Sequence, residues 1–498
     1  MTEPEPNPRP PGRLRWIWRS TALVVVAVLI LFVVFGVRSG RSLQQLKSNS
    51  QIGLSTEPAA VLNLLPGSWQ FWIESQTGTV IPELFQRVTE VSYFGEEISQ
   101  EDLVAIGRLK SLQALHLDGT SITDEGLAEI ADLPNLRRLA LNNTSISNAG
   151  LYHLRNQRSL QELYLQRTRI TSQGLEYLED LTELESVDFS ETEISDVGLR
   201  PFKNMIKMKE FNVSHTEITD DGMKSLQGFT ELEYLNLKGT RISDAGLVSL
   251  AGLHNLFEVD LSGTRVSDAG LKHFTGAADL LKLDLSRTAT GDAGLIHLTG
   301  LKYLRELNLS GTPITDAGLV HLKAMPSLDN LKLDDTHVTN RGLALLQELP
   351  GLKALNLANT RVSDDGLKSL QNMTRLESLD LSGTQVTDAG LAHFQKLTGL
   401  LHLCLNQTQV SDTGLSSLPA LKQLRVLYLA DTQISDAGLL HLKKFPRLNW
   451  LKLNRTRVTD AGLKHLNGLT HLMKVEIEGT EVTEEGLDEL KQSLLFMQ

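Results

Sequence analysis

Apolar side chains recur in a fixed order every 24 residues along most of this chain. One unit reads Leu136-x-x-Leu139-x-Leu141, then a polar turn, then Gly150-Leu151-x-x-Leu154. The first half ends in apolar–polar alternation, which predicts a short β-strand with one buried face. The second half places apolar residues at helical spacing and predicts a short helix. Each unit is therefore expected to hold one strand, one turn and one helix.

Sixteen such units follow one another without an insertion or a deletion, and most carry the word Thr-x-Ile/Val-Ser/Thr-Asp-x-Gly-Leu. A constant period of this length is typical of stacked repeats rather than of a single globule. One unit cannot bury its own apolar face, so its neighbours must cover it. The leading threonines are Thr120, Thr144, Thr168, Thr192, Thr216, Thr240, Thr264, Thr288, Thr312, Thr336, Thr360, Thr384, Thr408, Thr432, Thr456 and Thr480.

Each position of the word has an expected structural role. The Thr hydroxyl is expected to satisfy backbone groups of the neighbouring coil. The Ser/Thr three residues later suits a helix N-cap, and the Asp after it favours the positive end of the helix dipole. The Gly keeps that turn free of a Cβ atom. In the first unit, the apolar positions expected to face the interior are Leu115, Leu117, Ile122, Leu127, Ile130 and Leu133.

One unit departs from the word. Thr290 and Gly291 stand where Ile/Val and Ser/Thr belong, and Ala277 replaces a core leucine. The sequence therefore predicts a soft spot or a slight kink within residues 276–295.

The L-x-x-L-x-L spacing with a following helix resembles the leucine-rich repeat family, with Thr where the common form has Asn or Cys. The I-T-D-x-G-L ending is similar to the cysteine-containing repeats of F-box proteins. The 24-residue period and the Thr column look more like the long arrays of planctomycete-type bacterial proteins. The resemblance covers about four fifths of the chain. It implies an α/β leucine-rich repeat solenoid, with a curved parallel sheet inside and short helices outside.

The N-terminal segments predict a single transmembrane helix before the solenoid. Residues 20–37 are uncharged and nearly all apolar, about the length that spans a bilayer. No small-residue cleavage site follows, so a retained signal anchor is favoured over a cleaved signal peptide or a soluble protein. We divide the chain into a Pro-rich tail (1–15), the transmembrane signal anchor (16–37), a polar linker (38–60), an N-terminal cap that grades into the array (61–119) and the repeat array (120–498).

The location of the repeats is set by the orientation of this anchor. Four arginines precede the apolar run and three basic residues follow it, a bias that favours the tail inside. The repeats are then expected to be extracytoplasmic, in the periplasm or at the cell surface. The aromatic residues expected to cover the first repeat are Trp69, Phe71, Trp72 and Phe85.

Charge and chemistry exclude several classes of function. The chain has a net charge of −12, and residues 1–41 carry +4, so the remainder carries −16. That balance argues against a nucleic-acid partner, which needs a basic face. Cys404 is the single cysteine, so no intrachain disulfide forms. No nucleophile, zinc-protease or phosphate-loop motif occurs, and we expect no enzyme activity, no cofactor and no small-molecule substrate.

A histidine column in the helices invites a metal interpretation. Neighbouring helices lie roughly 8–10 Å apart, so two imidazoles can just reach one ion, but three or four ligands do not converge easily. A half-exposed, tolerated position is the favoured interpretation, and no metal is expected. The column comprises His153, His273, His297, His321, His393, His441 and His465.

The residues between the strand leucines are the candidates for binding, because they point to the outer face of the sheet. Four residues before each Thr, the middle of the array has an unbroken stripe of Asp188, Asn212, Asn236, Asp260, Asp284 and Asn308. Near the C-terminal end, an aromatic and basic patch comprises Tyr428, Trp450, Lys452, Asn454 and Arg455. Tyr164 marks a weaker second site. Ordinary surface variation explains these features equally well, but Trp, Tyr and Arg are frequent interface anchors.

The favoured hypothesis is a membrane-anchored, non-catalytic protein that binds a protein or envelope component through its concave face. An F-box-like substrate-recognition subunit is the first alternative, but it needs a helical adaptor-binding segment where this chain has a bilayer-length apolar run. A passive envelope spacer is the second alternative. An enzyme site within residues 42–95 is disfavoured because that stretch is too short for a catalytic domain.

Overall fold

A computed structural model describes Leu46, Asn49 and residues 51–58 and 86–495. The proposed tail and signal anchor lie outside these residues, as do the four cap aromatics predicted to cover the first repeat. Within the described residues, no helix has both the length and the apolar character needed to cross a membrane. The chain divides into two compact units, Met1–Leu184 and Glu185–Gln498.

Short strands recur once per repeat. They are β1 Ile52–Pro58, β2 Gln86–Tyr93, β3 Ala114–His116, β4 Arg138–Ala140, β5 Glu162–Tyr164, β6 Ser186–Asp188, β7 Glu210–Asn212, β8 Tyr234–Asn236, β9 Glu258–Asp260, β10 Lys282–Asp284, β11 Glu306–Asn308, β12 Asn330–Lys332, β13 Ala354–Asn356, β14 Ser378–Asp380, β15 His402–Cys404, β16 Val426–Tyr428, β17 Trp450–Lys452 and β18 Lys474–Glu476.

Short helices follow the strands. The α-helices are Gln100–Gly107, Asp124–Glu129, Asn148–Leu154, Asp220–Met223, Asp244–Leu247, Asn340–Leu345, Asp364–Leu367, Asp388–Leu391, Asp412–Ser417, Asp436–Leu439, Asp460–Leu463 and Glu484–Leu495. The 3₁₀ segments are Gly174–Leu178, Asp196–Asn204, Lys224–Gly228, Val248–Leu250, Leu271–Gly276, Gly294–Leu298, Gly318–Ala324, Leu346–Glu348, Lys368–Asn372, Ala392–Lys396, Leu440–Lys444 and Lys464–Leu466.

The first unit begins with a strand that the sequence did not indicate. β1 lies within the segment assigned to a polar linker and pairs antiparallel with β2, with Ile52 opposite Tyr93. β2 to β5 then pair in parallel. Ser99 accepts a hydrogen bond from the Asp102 amide and caps the first described helix. The repeat register predicted before Thr120 is therefore present.

In the second unit, each strand from β6 to β18 pairs in parallel with the next, and partner residues are 24 apart in the sequence. The predicted architecture of a parallel sheet with short helices is confirmed. From β6 to β17, the apolar residue at the centre of each strand and the apolar residue two positions later are buried, as Leu283 and Leu285 illustrate. Near the start of this unit, Phe189, Phe202, Phe211 and Phe229 fill the same interior and meet edge to face.

The Thr column closes the turn inside its own coil, where a coil means one repeat. The Thr120 hydroxyl donates to the Leu117 carbonyl at 2.7 Å, and the other threonines repeat this bond. The expected partner in the neighbouring coil is therefore wrong. The hydroxyl reaches the carbonyl of the residue that follows its own strand, because the chain turns back within three residues. The Thr hydroxyl donates to a buried carbonyl oxygen, and burying that oxygen without a hydrogen bond would cost free energy.

The residue before every Thr has a positive φ, between 53° and 71°. Only glycine adopts this left-handed conformation without strain, yet ten of the sixteen positions hold other residues. The residue is held there by the turn, since its amide and the strand residues before it bond to the next coil. The set is Gly119, Asn143, Arg167, Glu191, His215, Gly239, Gly263, Arg287, Gly311, Asp335, Asn359, Gly383, Gln407, Asp431, Arg455 and Gly479.

The Asp of the word joins consecutive coils. In the first unit, Asp124 accepts the Ser147 amide at 2.8 Å and the Ser147 hydroxyl at 2.5 Å. Ser147 in turn accepts the Ala149 amide and caps its helix, as predicted. A Cβ on Gly150 would lie 2.5 Å from Asp124 Oδ1, so the Gly column makes room for the carboxylate. Asn148 makes the same contact to Thr171 with its amide group.

The repeat that departs from the motif, around Thr288 to Gly291, keeps its packing but lacks one of the two hydrogen bonds to the aspartate. Thr290 is fully buried, and its hydroxyl oxygen lies 3.0 Å from that of Thr288. Asp268 accepts the Gly291 amide at 2.5 Å, but Gly291 offers it no hydroxyl. Ala277 is buried in the leucine position. The soft spot predicted within residues 276–295 stays a prediction, and the missing hydroxyl bond to Asp268 is its physical cause.

Candidate functional site

The Asp/Asn stripe lies on the exposed face of the second unit's sheet and is half-buried. Its oxygens close the turns that end the strands. Asp188 accepts the Ser190 amide at 2.8 Å and the Ser190 hydroxyl at 2.5 Å. The same i-to-i+2 bond is made by Asn212, Asn236, Asp260, Asp284 and Asn308. Short Asx side chains suit this role because they mimic a backbone turn.

The stripe also bonds along its length. The Asn212 amide donates to Asp188 at 2.8 Å, and the Asn308 amide donates to Asp284 at 2.7 Å. Serines two residues before the threonines lie beside the stripe, and Ser190, Ser214 and Ser262 among them are buried. Ser190 is 1% exposed. Much of the polar character of the stripe therefore serves the fold, and only part of each side chain remains accessible.

A shallow depression on the same face lies over β9 to β12. Its charged lining includes Glu258, Asp260, Lys282, Asp284 and Glu306. The Lys282 ammonium lies 3.8 Å from Glu258 and 3.6 Å from Glu306, so one cation bridges carboxylates from both neighbouring strands. Glu258, Lys282 and Glu306 were not predicted from the sequence, because they lie six residues before their Thr, outside the stripe that lies four residues before it. Strand periodicity of two places these residues on the same face as the stripe.

The C-terminal aromatic patch is assembled as the repeat register predicts. The rings of Tyr428 and Trp450 lie on adjacent strands and meet edge to face, with centroids 5.3 Å apart. Lys474 lies 4.0 Å from the Trp450 ring centroid. The Trp450 indole donates to Glu476 at 3.2 Å. Both rings are half-buried, so each keeps an accessible part while its neighbours hold its orientation.

Two members of the predicted patch differ from the expectation of an open surface. Asn454 is only 8% exposed, and its Oδ1 is the one buried side-chain polar atom without a hydrogen-bond partner in the described residues. Equivalent Asn406 uses its Oδ1 to accept the Ala430 amide from the next coil. Arg455 is exposed, but its guanidinium binds both oxygens of Asp431. This pairing lowers the pKa of Asp431.

Tyr164 marks the weaker candidate site, in the first unit. Its hydroxyl donates to Glu162 at 2.8 Å, and Arg138 binds the same carboxylate through two nitrogens at 2.6 and 2.8 Å. This arrangement fixes the tyrosine ring on the sheet. It offers a polar, ordered surface but no unbalanced charge.

The column histidines and Cys404 are the remaining candidates for metal binding or thiol chemistry. The column histidines are half-exposed. In the part of the chain that the structure describes, no group of three or more acidic, His or Cys side chains is arranged to hold a metal. Cys404 lies on β15 between Asp380 and Tyr428. Burial raises the pKa of its thiol to about 12, so it is protonated at neutral pH.

Comparisons with known proteins agree with the architecture. A family model described as "Leucine Rich repeat" matches residues 108–131, 204–226, 230–251, 300–322, 350–370 and 372–393. No curated protein matches the sequence significantly. An internalin (inlF) from Listeria monocytogenes is similar in structure, with 23% identity and a TM-score of 0.50 over 61% of this chain and 88% of that one.

Two further solved structures are similar. The leucine-rich repeat protein LIC12759 of Leptospira interrogans has 18% identity and a TM-score of 0.49, over 80% of this chain and 92% of that one. TLR13, solved in complex with ssRNA13, has 18% identity and a TM-score of 0.51, over 76% of this chain and 61% of that one. The likenesses to the internalin and to TLR13, together with the six matched segments, support a leucine-rich repeat fold.

Proposed function

We propose that this leucine-rich repeat protein is a non-catalytic binding protein that presents the exposed, concave face of its sheet to a protein or cell-envelope partner. The Tyr428–Trp450 pair carries the proposal. In the Asp/Asn stripe of this face, small polar side chains close turns or bond to the next coil. At β16 and β17, the rings of Tyr428 and Trp450 lie on this face and meet edge to face. The Trp450 indole donates to Glu476, and the Lys474 ammonium lies over its ring. Rings held in one orientation bind with little further loss of side-chain entropy.

The test is a paired comparison of variants of the full-length protein in pull-downs from envelope extract. Trp450→Ala and Tyr428→Ala remove the two rings. Tyr303→Ala is the matched control, since Tyr303 is 59% exposed but lies on a loop before β11. A ring that anchors an interface contributes about 2 kcal/mol or more. We expect a partner that the control retains and both ring variants lose. Equal recovery by all three variants would refute the binding face.

We further propose that residues 16–37 anchor the protein in the membrane and that the repeats are extracytoplasmic. The support is the uncharged run of residues 20–37 and the excess of arginine before it. A C-terminal alkaline phosphatase fusion is expected to be active, because that enzyme needs an oxidising compartment. An inactive fusion in a membrane fraction would contradict the orientation, and a fusion in the soluble fraction would contradict the anchor.

A further inference from the structure

Charge is strongly segregated along the chain. Residues 389–475 hold eleven lysines and arginines and four aspartates, a net charge of +7 in a chain whose net charge is −12. All four aspartates are engaged by the fold. Asp412, Asp436 and Asp460 accept the amide and the hydroxyl of the next coil's N-cap, and Asp431 binds Arg455. Arg455, Lys452 and Lys474 have acidic partners, Asp431 for the first and Glu476 for the other two. The other basic side chains of this region have no acidic partner among the residues that the structure describes.

Five of these basic residues share one edge of the repeats. They lie at the ends of the helical segments or in the loops that lead into β15, β16 and β17. The backbone joins these loops, since the Arg425 amide donates to the Leu401 carbonyl and the Asn449 amide donates to the Arg425 carbonyl, both at 2.8 Å. All five side chains are exposed. We call this surface the basic rim, and it comprises Lys396, Lys422, Arg425, Lys443 and Arg447.

The basic rim differs from the lysines of the second unit that form ion pairs within their own helical segment. Lys224 pairs with Asp221 and Lys368 pairs with Asp365, each at 2.6 Å. No member of the basic rim has an acidic partner among the residues that the structure describes, and Arg447 donates to the neutral Gln423. Lys444, next in the sequence, has a structural role, because its ammonium donates to the Ser416 and Leu418 carbonyls. Lys443 beside it has no such role.

We infer that the basic rim is a docking surface for an acidic, carboxylate-rich protein segment. This inference rests on the proposed binding function and names the chemistry of its partner. Arg425 directly precedes β16, so the basic rim borders the face that carries Tyr428 and Trp450. Exposed lysines and arginines without partners raise the local concentration of an anion and set its orientation. Gln423, which accepts from Arg447, and Asn449, which donates to the Met473 sulfur, are neutral neighbours of these cations, and their remaining polar atoms can bond to a peptide backbone.

The surroundings favour a protein segment over a nucleic acid. Single strands bind by stacking bases on open aromatic faces. Here Lys474 covers one face of Trp450 at 4.0 Å, and Tyr428 meets the indole edge on. The chain outside residues 389–475 has a net charge of −19, which repels a long polyanion that extends beyond the basic rim. A short acidic segment avoids that repulsion.

The test measures binding of fluorescent poly-L-glutamate to the full-length protein in detergent, at low and moderate salt. The variant Lys422→Ala/Arg425→Ala/Lys443→Ala removes three cations, and Lys224→Ala/Lys368→Ala is the control that removes two paired ones. Three exposed ion pairs together change affinity about tenfold. We expect that loss in the triple variant, no change in the control, and weakening with salt for the wild type. The variant Lys422→Arg/Lys443→Arg retains the charge and is expected to bind as the wild type does.

Three results would overturn the inference. One is the absence of poly-L-glutamate binding at low salt, and another is equal binding by the triple variant. The third is tighter binding of a single-stranded RNA homopolymer at equal charge, which would assign the surface to nucleic acid. None of these results depends on the two rings. Loss of the pull-down partner on Trp450→Ala with an inert basic rim would refute this inference alone, and the converse would refute the binding face alone.

Discussion

The carboxylate of Asp436 accepts two hydrogen bonds from Thr459 in the next coil, one from the backbone amide and one from the hydroxyl, both at 2.7 Å. Ten further aspartates of the same column repeat this pair of bonds, from Asp124 to Asp460. The bonds run along the stacking direction and join each helix start to the one before it. The repeat motif therefore forms hydrogen bonds between consecutive coils as well as the turn within each coil.

Asp436→Ala is expected to destabilise this contact between coils by about 2 kcal/mol, since it removes two charge-assisted bonds and leaves the Thr459 amide without its acceptor. Asp436→Asn is expected to cost much less, because Asn148 and Asn340 already fill this column and donate their amide to the next hydroxyl. Amide hydrogen exchange at Thr459 measures the effect directly. Equal exchange in the two variants would show that the charge, rather than the hydrogen-bond geometry, holds the coils together.

The left-handed residues before each Thr provide a second prediction. Gly119→Ala is expected to cost about 1 kcal/mol, because its φ is 68° and no atom lies within 4 Å of the added Cβ to complicate the comparison. Gln407→Gly is expected to stabilise its coil by about 0.5 kcal/mol, since relief of the left-handed strain exceeds the added entropy of the unfolded chain. The shift of the denaturation midpoint tests both signs. A destabilising Gln407→Gly would mean that the side chain has a role beyond the turn.

The thiol of Cys404 provides a pH prediction. Its pKa is raised to about 12 by burial, with a further contribution from Asp380. The ordinary value is 9.0, so the unfolded thiol loses its proton at a pH where the folded thiol keeps it. The folded state binds more protons between these values, and the stability contributed by Cys404 is lost as pH rises above 9.

Alkylation by iodoacetamide, followed by mass spectrometry, checks this assignment. Because the thiolate is the reactive form, Cys404 is expected to react slowly at pH 8 in the folded protein and rapidly in urea. The variant Cys404→Ser serves as the unlabelled reference. Rapid labelling of the folded protein at pH 8 would contradict the raised pKa.

The sequence determined the fold more completely than the site, for physical reasons visible in particular residues. The 24-residue register fixed which strand residues become neighbours, so Tyr428 and Trp450 were correctly expected side by side. The left-handed turn escaped notice because its residue varies from Gly to Arg to Glu, and backbone closure rather than side-chain identity sets its φ. The sequence pattern indicates only that Asp436 favours the dipole of its own helix, because its hydrogen-bond partner Thr459 lies 23 residues away. The burial of Asn454 likewise depends on the next coil, which local pattern does not describe.

In the repeat that contains Gly291, the hydrogen bond between coils can be tested by adding the missing hydroxyl instead of by removing one. Asp268 accepts the Gly291 amide, and a Cβ on Gly291 would lie 3.5 Å from Asp268 Oδ2, an ordinary contact distance. Gly291→Ser therefore places a hydroxyl where the other coils have one, and it is expected to stabilise the unit by about 1 kcal/mol. Hydrogen exchange within residues 276–295 should be faster than in neighbouring coils of the wild type and should slow in the variant. Ser411→Gly is the matched reverse change, because it removes the hydroxyl bond to Asp388 in an intact unit. If the repaired unit exchanges no more slowly while Ser411→Gly leaves its own coil unaffected, the inter-coil hydroxyl bond contributes nothing to stacking, and the soft spot must arise from Ala277 or Thr290 in the core.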